Sequence, residues 1–227
     1  MANLIAAVVF FLGIHFGISG TSLRGRLVNL IGEKAFRGVF ALTSIAGLIW
    51  LIPAYATAPY IRTWGRLLVL DTLAQPLMLV AVVFVVVGIS TPSPTIAGME
   101  SQLTRGVQVR GITRITRHPF LWGVALWAFV HLVINGDVAA ALVFGSLLLL
   151  AVVGTSSIDA KRRHAFGQRW ENFSGETSNI PFAAILQRRN HFWPALREIG
   201  FVRPLIAVTV FVALFQLHGR LFGAQLT

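Results

Sequence analysis

Six apolar stretches divide this sequence, and each is close to the length of a helix that crosses a lipid bilayer. A bilayer core about 30 Å thick is spanned by roughly 20 consecutive apolar residues in a helix. The stretches lie at about 3–19, 37–55, 72–90, 119–135, 138–155 and 203–219. Hydrophobic residues make up 56% of the chain and charged residues 12%, a composition that one soluble core does not accommodate. The sequence therefore predicts an all-α, polytopic membrane helix bundle of about six transmembrane helices, forming a single domain over residues 1–227.

The distribution of lysine and arginine predicts the orientation of this bundle. Sixteen of the 19 basic residues lie in the loops after the first, third and fifth stretches, and the other three are Arg62, Arg66 and Arg220. Loops rich in Lys and Arg stay on the cytoplasmic side of a membrane. We therefore expect an inner (cytoplasmic) membrane protein with both termini outside. The net charge of +11 is then explained by orientation and by contact with anionic lipid, so we expect the bilayer, and no nucleic acid, as a partner.

Three short segments add detail to this topology. Residues 3–19 lack a basic region before the apolar run and a small-residue cleavage site, which favours a retained helix over a secretory signal. The turn sequence Asn-Gly-Asp at 135–137 is all that separates the fourth and fifth stretches, so these two are predicted to form a tight antiparallel hairpin. Between Arg62 and Leu70, beside Tyr60 and Trp64, we expect a short interfacial helix.

Histidine supplies nearly all of the ionisable side chains inside the predicted spans. His15 lies in the first span, His131 in the fourth, His218 near the outer end of the sixth and His118 at the inner end of the fourth. Ionisable residues are costly inside a membrane and are candidates for function. Neutral imidazole is also a common protein ligand of haem iron and transition metals. The chain has no cysteine, which excludes disulfides and thiolate ligands.

The spacing of these histidines limits which of them can share one metal ion. His118 and His131 are about 19 Å apart along a helix, so they cannot ligate the same iron. His15 with His131 is possible, although their predicted depths differ by about 12 Å, and His131 with His218 fits depth slightly better. The alternative is that each imidazole is a structural polar group hydrogen-bonded across helices. Spacing alone leaves these readings open.

Two segments on the predicted cytoplasmic side are rich in polar and basic residues. Arg117-His118-Pro119 begins the fourth span, where proline suits the first helical turn. Residues 166–170 (Phe-Gly-Gln-Arg-Trp) and 179–181 (Asn-Ile-Pro) lie in the next loop on that side. We expect Arg117 and His118 to line a basic pocket that binds the anionic group of a cofactor. The alternative is an interfacial anchor built from Arg, Trp and Pro.

The block RHPFLWGVALWAFVHLVINGD at residues 117–137, after His15, Leu23-Arg24 and Pro53–Pro59, resembles the NnrU family of integral membrane proteins. That family is linked to denitrification, where its members are needed for nitrite and nitric oxide reduction. It is also similar to the zeta-carotene isomerases, membrane proteins that use haem b to isomerise a cis double bond of a carotenoid. The resemblance implies haem b as cofactor, His15 and His131 as its metal ligands, and a lipophilic small-molecule substrate. A cysteine of the isomerases corresponds here to Ala128, a departure from their pattern.

A second, more distant similarity is to membrane isoprenylcysteine and phospholipid methyltransferases. It rests on Arg-His-Pro-x-x-x-Gly from Arg117, then Phe166-Gly167 and Ile180-Pro181, and it implies binding of S-adenosylmethionine. The acidic pair of those enzymes is missing, since residues 159–163 read Asp-Ala-Lys-Arg-Arg. Three functions therefore remain open: a haem-dependent polyene isomerase, an S-adenosylmethionine-dependent methyltransferase, and a non-catalytic accessory or assembly protein.

Overall fold

The computed structural model describes residues 1–65, 67, 71–106 and 108–222, and most of them are helical. The α-helices in this part of the chain are α1 (Ala2–Leu12), α2 (Leu23–Ile31), α3 (Glu33–Ala56), α4 (Asp71–Ser90), α5 (Pro119–Asn135), α6 (Val138–Phe166), α7 (Gln168–Glu176), α8 (Ala183–Leu186), α9 (Phe192–Ile199) and α10 (Val202–Phe222). Short 3₁₀ turns lie at Glu100–Thr104 and Gly111–Arg114.

The helices confirm the polytopic membrane architecture that the apolar stretches predict. Five segments are long and apolar enough to cross a bilayer: Ala2–Ser19, Glu33–Ala56, Thr72–Ser90, Val138–Phe166 and Val202–Leu221. The predicted fourth span is also helical, but α5 has only 17 residues and is the shortest of the six. Its length is at the lower limit for crossing a bilayer core.

The first span changes its helix type halfway along. The α-helix ends at Leu12 and continues as a π-helix over Gly13–Ser19, with His15 inside the π-helical segment. π-helical turns are rare and occur frequently at functional sites. A Cβ atom added at Gly13 or Gly17 would meet no atom within 4 Å, so these glycines are not points of close helix packing within the chain.

Close packing occurs instead between α4 and α5. A Cβ atom at Gly123 of α5 would lie 2.8 Å from the carbonyl oxygen of Ala81 and 2.8 Å from the nitrogen of Val85. A Cβ atom at Gly88 of α4 would lie 2.7 Å from the backbone nitrogen of Phe120. The two glycines therefore let the backbones of these helices approach each other more closely than larger side chains would permit.

The predicted hairpin between the fourth and fifth spans is confirmed. Gly136 ends α5 in the left-handed conformation with φ of 58°, which glycine adopts without steric cost. The Asp137 carboxylate then accepts a hydrogen bond from the backbone N–H of Ala140 at 3.0 Å and caps α6. These two residues reverse the chain, so α6 runs back beside α5.

The loop after α3 packs on this hairpin and does not form the predicted interfacial helix over its described part. Arg62 makes an isolated antiparallel bridge with Asp137, and the backbone N–H groups of Thr63 and Gly65 both donate to the carbonyl oxygen of Gly136. Residues 66 and 68–70 lie outside the described residues. These bonds to the hairpin give the backbone N–H groups of Thr63 and Gly65 the acceptors that they would have found within a helix.

The three basic loops meet at the opposite end of the bundle, as the charge distribution predicts. The Glu100 carboxylate accepts hydrogen bonds from Arg37 at 3.3 Å and from Arg162 at 2.9 Å. Lys161 donates to the carbonyl oxygen of Ser19 at 2.6 Å. These contacts join the loops that follow the first, third and fifth spans, and we call this the basic end of the bundle. Its assignment to the cytoplasm remains a prediction.

Candidate functional site

His15 lies between α1 and α3, half-buried among aromatic rings. Its ring centroid is 4.4 Å from that of Phe11 and 5.2 Å from that of Phe40. Its Nδ1 lies 2.7 Å from the carbonyl oxygen of Phe11. Because a carbonyl only accepts, Nδ1 carries the proton and Nε2 keeps a lone pair. This is the tautomer that a metal-binding histidine uses.

His131 lies near the other end of the bundle, within a histidine–aromatic cluster that we define as Tyr55, Trp127, His131, Phe144 and His218. The His131 ring is 4.8 Å from Phe144, 4.9 Å from Trp127 and 6.4 Å from His218, measured between centroids. Its Nδ1 lies 2.9 Å from the carbonyl oxygen of Trp127, so Nε2 again keeps a lone pair. The cluster thus brings α5, α6 and α10 together around one imidazole.

The structure does not bring His15 and His131 together. The His15 ring packs against Phe40 of α3. The His131 ring packs against Phe144, whose ring is 5.7 Å from that of Tyr55 of α3. Phe40 and Tyr55 both belong to α3 and are separated by about 22 Å along its axis. Two axial nitrogens of one metal ion are only about 4 Å apart, because metal–nitrogen bonds are about 2 Å long. Each imidazole is a competent single ligand, but this arrangement does not support a shared iron.

The pair that the structure does bring together is His131 and His218. Their rings are inclined by 27° at a centroid distance of 6.4 Å. This agrees with the sequence estimate that His218 fits the depth of His131 better than His15 does. Within the described residues no group of three or more His, Asp or Glu side chains is arranged to hold a metal ion.

Arg117 and His118 lie at the basic end and share one carboxylate, that of Asp159 in α6. Arg117 Nε donates to Asp159 Oδ1 at 3.0 Å and Nη2 donates to Oδ2 at 2.5 Å. His118 Nε2 lies 2.6 Å from Oδ1, and Asn179 donates to Oδ2 at 3.2 Å. The arginine and aspartate side chains are 11% and 10% exposed. We call these four residues the Asp159 cluster.

The neighbouring residues fix the Asp159 cluster in place. The Arg117 guanidinium lies over the ring of the fully buried Trp170, 5.6 Å from the ring centroid. Thr116 Oγ1 and Trp122 Nε1 both donate to the carbonyl oxygen of Asn179, at 2.5 and 2.8 Å. The start of α5, the end of α6 and the segment after α7 are therefore held together by buried polar contacts.

Burial lowers the pKa of His118, and the hydrogen bond to Asp159 offsets this only in part. Because a carboxylate only accepts, Nε2 carries a proton and donates this hydrogen bond to Asp159. His118 is buried and holds the Asp159 carboxylate in position. The sequence predicts that His118 lines a pocket, but it is not among the residues that line the neighbouring cavity.

An open cavity of about 450 Å³ lies beside Arg117. Its walls come from the end of α6, the second half of α7, residues 177–180 and Ala183. Its charged lining residues are Arg117, Arg163, Arg189 and Glu171. Arg117 thus lines a cavity that contains three arginines, and the binding of an anionic group there stays a prediction. We call it the arginine cavity.

Two residues of this region are not among the site residues that the sequence predicts. Asp159 is a lone acidic residue near the end of a long apolar helix. An ionisable residue in that position is itself a signal for a buried partner. Arg189 is the second, and no local pattern in the sequence marks it as part of a cavity wall.

These features define the class of protein: a polytopic α-helical membrane protein with a histidine–aromatic cluster inside the bundle and a buried Arg–Asp–His cluster at its basic end. The chain belongs to the NnrU family, described as NnrU protein, whose sequence profile matches residues 3–226. No solved structure matches this chain.

Two plant proteins are similar to this chain. It is 28% identical over 222 residues to a chloroplastic 15-cis-zeta-carotene isomerase of Arabidopsis thaliana, covering 96% of this chain and 60% of the relative. It is 30% identical over 100 residues to the 15-cis-zeta-carotene isomerase of Zea mays, covering 44% of this chain and 27% of that protein. The chain thus spans less than two thirds of the length of the curated relatives that it matches.

Proposed function

We propose that this protein catalyses the cis–trans isomerisation of a lipophilic polyene inside the membrane, as the name of its plant relatives describes for 15-cis-zeta-carotene. The observation that carries this proposal is the similarity to the Arabidopsis enzyme along 96% of the chain. An isomerisation rearranges one double bond and neither adds nor removes atoms. The protein therefore has to bind a substrate that is apolar along its whole length, and such a molecule is dissolved in the bilayer core that the helices cross.

The histidine–aromatic cluster is the substrate site that we propose. The Trp127 and Phe144 rings meet at 73° with centroids 5.3 Å apart, and Tyr55 meets Phe144 at 79°. Rings that meet edge to face offer both a flat face and an edge to a flat conjugated chain. His131 supplies a polar nitrogen within this apolar surface, and its neighbours exclude water from the reacting double bond.

We also propose haem b as a cofactor, on the resemblance described above. The lone pair on His131 Nε2 would allow this residue to hold the haem iron, which would supply redox chemistry. The predicted pairing of His131 with His15 does not fit one iron in the arrangement described here.

An inner (cytoplasmic) membrane location is proposed from the positive loops, whereas the plant relatives are named as chloroplastic. The sequence suggests two functions other than isomerisation. They are methyl transfer from S-adenosylmethionine and a non-catalytic accessory role, for example in nitrite and nitric oxide reduction.

An isomerisation assay on the full chain tests the proposal. The protein, purified from haem-supplemented cells and placed in lipid nanodiscs, is incubated in the dark with 15-cis-zeta-carotene, and the isomers are separated by chromatography. We expect the 15-cis isomer to disappear faster than in empty nanodiscs. We expect His131→Phe, which removes the polar nitrogen but keeps a flat ring, to slow this at least about tenfold, or 1.4 kcal/mol.

The matched control is His191→Phe, because His191 is an exposed residue at the start of α9 at the basic end. It should keep the wild-type rate. Equal isomer ratios with folded protein and with empty nanodiscs would overturn the proposal. Calorimetric titration with S-adenosylmethionine would then test the methyltransferase alternative.

A further inference from the structure

We propose that the arginine cavity binds a phosphate group carried by an anionic lipid. The cavity lies at the basic end, away from the histidine–aromatic cluster, so this inference does not rest on the proposed isomerase activity. Three arginines line it against one lining carboxylate, that of Glu171. Arginine is suited to phosphate because its guanidinium is always charged and donates charge-assisted hydrogen bonds.

Arg189 brings a positive charge that no carboxylate among the described residues neutralises. Its guanidinium donates to the carbonyl oxygens of Gly175 and Thr177 and to the side-chain oxygen of Gln187, all of which are neutral acceptors. These bonds hold the guanidinium at the cavity wall. Its charge remains available to an anion in the cavity.

Arg163 is paired with Glu171 at 2.7 Å, but this pair is weak. The two side chains are 58% and 46% exposed, and ion pairs that are so accessible to solvent contribute little. Arg163 can therefore exchange this carboxylate for a phosphate at small cost. Binding of a phosphate would place Arg163 and Arg189 around one anion.

The backbone of the segment after α7 adds neutral donors. The N–H groups of Ser178, Asn179 and Ile180 donate none of the hydrogen bonds found among the described residues, and all three residues line the cavity. Unpaired backbone N–H groups are able to donate to an anion in addition to the guanidinium groups.

Two backbone hydrogen bonds fasten the cavity wall to the residues just before α5. Arg117 N–H donates to the carbonyl oxygen of Ser178 at 2.9 Å, and Phe182 N–H donates to that of Ile115 at 2.8 Å. These bonds fasten residues 178–182 to the start of α5. A site that is already ordered loses little conformational entropy on binding.

The surface next to the cavity is apolar, which favours a phosphate attached to a lipid tail over a free one. Ile180 lines the cavity and is 63% exposed, and Phe182 and Leu186 beside it are 40% and 81% exposed. Anionic lipids are attracted to basic segments at the ends of membrane helices. Apolar side chains beside the arginines can therefore contact the acyl chains while the cavity holds the headgroup.

Thermal unfolding of the purified full chain in a neutral detergent tests the proposal. The protein is titrated at constant ionic strength with phosphatidylglycerol, with inorganic phosphate, or with phosphatidylcholine as the lipid of zero net charge. We expect a saturable rise in the unfolding midpoint with phosphatidylglycerol and none with phosphatidylcholine. Arg163→Gln and Arg189→Gln should each weaken the apparent affinity about tenfold, because each removes a charge-assisted hydrogen bond.

The variants separate binding from damage to the fold. Arg188→Gln removes an equal charge from the neighbouring position, outside the cavity lining, and should keep wild-type affinity. Arg189→Lys keeps the charge and should retain more affinity than Arg189→Gln. Among the described residues, the Arg163 side chain donates its hydrogen bond to Glu171 and none to the segment 177–183. Stabilisation by inorganic phosphate as strong as by the lipid would assign the site to free phosphate and overturn the lipid part of the proposal. No saturable stabilisation by either probe, or an equal loss in Arg188→Gln, would overturn the whole.

Discussion

Arg117 and Asp159, which are 42 positions apart in the sequence, form a buried ion pair in which the guanidinium contacts both carboxylate oxygens. The pair connects the residue that precedes the fourth span with the last third of the fifth. Both side chains are nearly inaccessible to solvent. Each charge is therefore stabilised by the other, because a single buried charge without a partner would have lost its hydration without compensation.

Removing Asp159 should strongly destabilise the protein. Asp159→Ala leaves the buried Arg117 guanidinium without its carboxylate and His118 without its acceptor, so the free energy of unfolding should fall by about 3–5 kcal/mol. The unfolding midpoint in detergent measures this. The control is Glu171→Ala, which breaks the exposed pair with Arg163 and should cost less than about 1 kcal/mol. Equal effects of the two variants would contradict the burial of the Asp159 cluster.

The approach of α4 and α5 makes a second prediction. Gly123→Ala places a methyl group 2.8 Å from backbone atoms of α4, which cannot move as a flexible side chain would. We expect a loss of about 1–3 kcal/mol in the free energy of unfolding. Gly145→Ala in α6 is the matched change, because its methyl group meets no atom within 4 Å. It should be neutral or stabilise by up to about 1 kcal/mol, and a similar loss in both variants would refute the close contact.

Absorption spectra of histidine variants distinguish the two proposed ligands. In protein purified from haem-supplemented cells, His131→Ala should weaken the Soret band and the reduced α and β bands. His15→Ala should leave them largely unchanged, because the two rings pack at levels of α3 that are about 22 Å apart. His191→Ala serves as the surface control. Equal loss of the bands in His15→Ala and His131→Ala would show that both rings reach one iron and would contradict the arrangement described here.

A carboxylate at the basic end gives a prediction for the pH dependence of stability. The hydrogen bond from Arg114 is the main cause that holds the pKa of Glu198 below its usual value of 4.5, with the backbone N–H of Gly111 as a second donor. Because the folded pKa is the lower one, this stabilisation is present above pH 4.5 and is lost as the pH falls through the folded value. The unfolding midpoint of Glu198→Gln should therefore lie below that of the wild type at pH 6. The difference should shrink as the pH falls below about 4. A difference that is constant between pH 6 and pH 3 would exclude the carboxylate as its source.

Local sequence predicts the spans well because the preference of a helix for a bilayer depends on the residues of that helix alone. All six apolar stretches are helical, and the hairpin at 135–137 follows from the backbone freedom of Gly136 and the capping carboxylate of Asp137. The change to a π-helix at Gly13 was not predicted, since no local pattern in the sequence distinguishes it from a regular helix.

The sequence by itself determined that this chain crosses the membrane several times and gathers its basic loops at one end, because apolar length and charge placement are properties of each segment. Only the tertiary structure decided which side chains meet. The depth and rotation of each helix, set by contacts such as Gly123 against α4, place His131 beside His218 and His15 beside Phe40. The same packing brings Asp159 to Arg117. Contacts between side chains of different helices depend on how the whole helices pack, so the spacing of residues within one helix does not predict them.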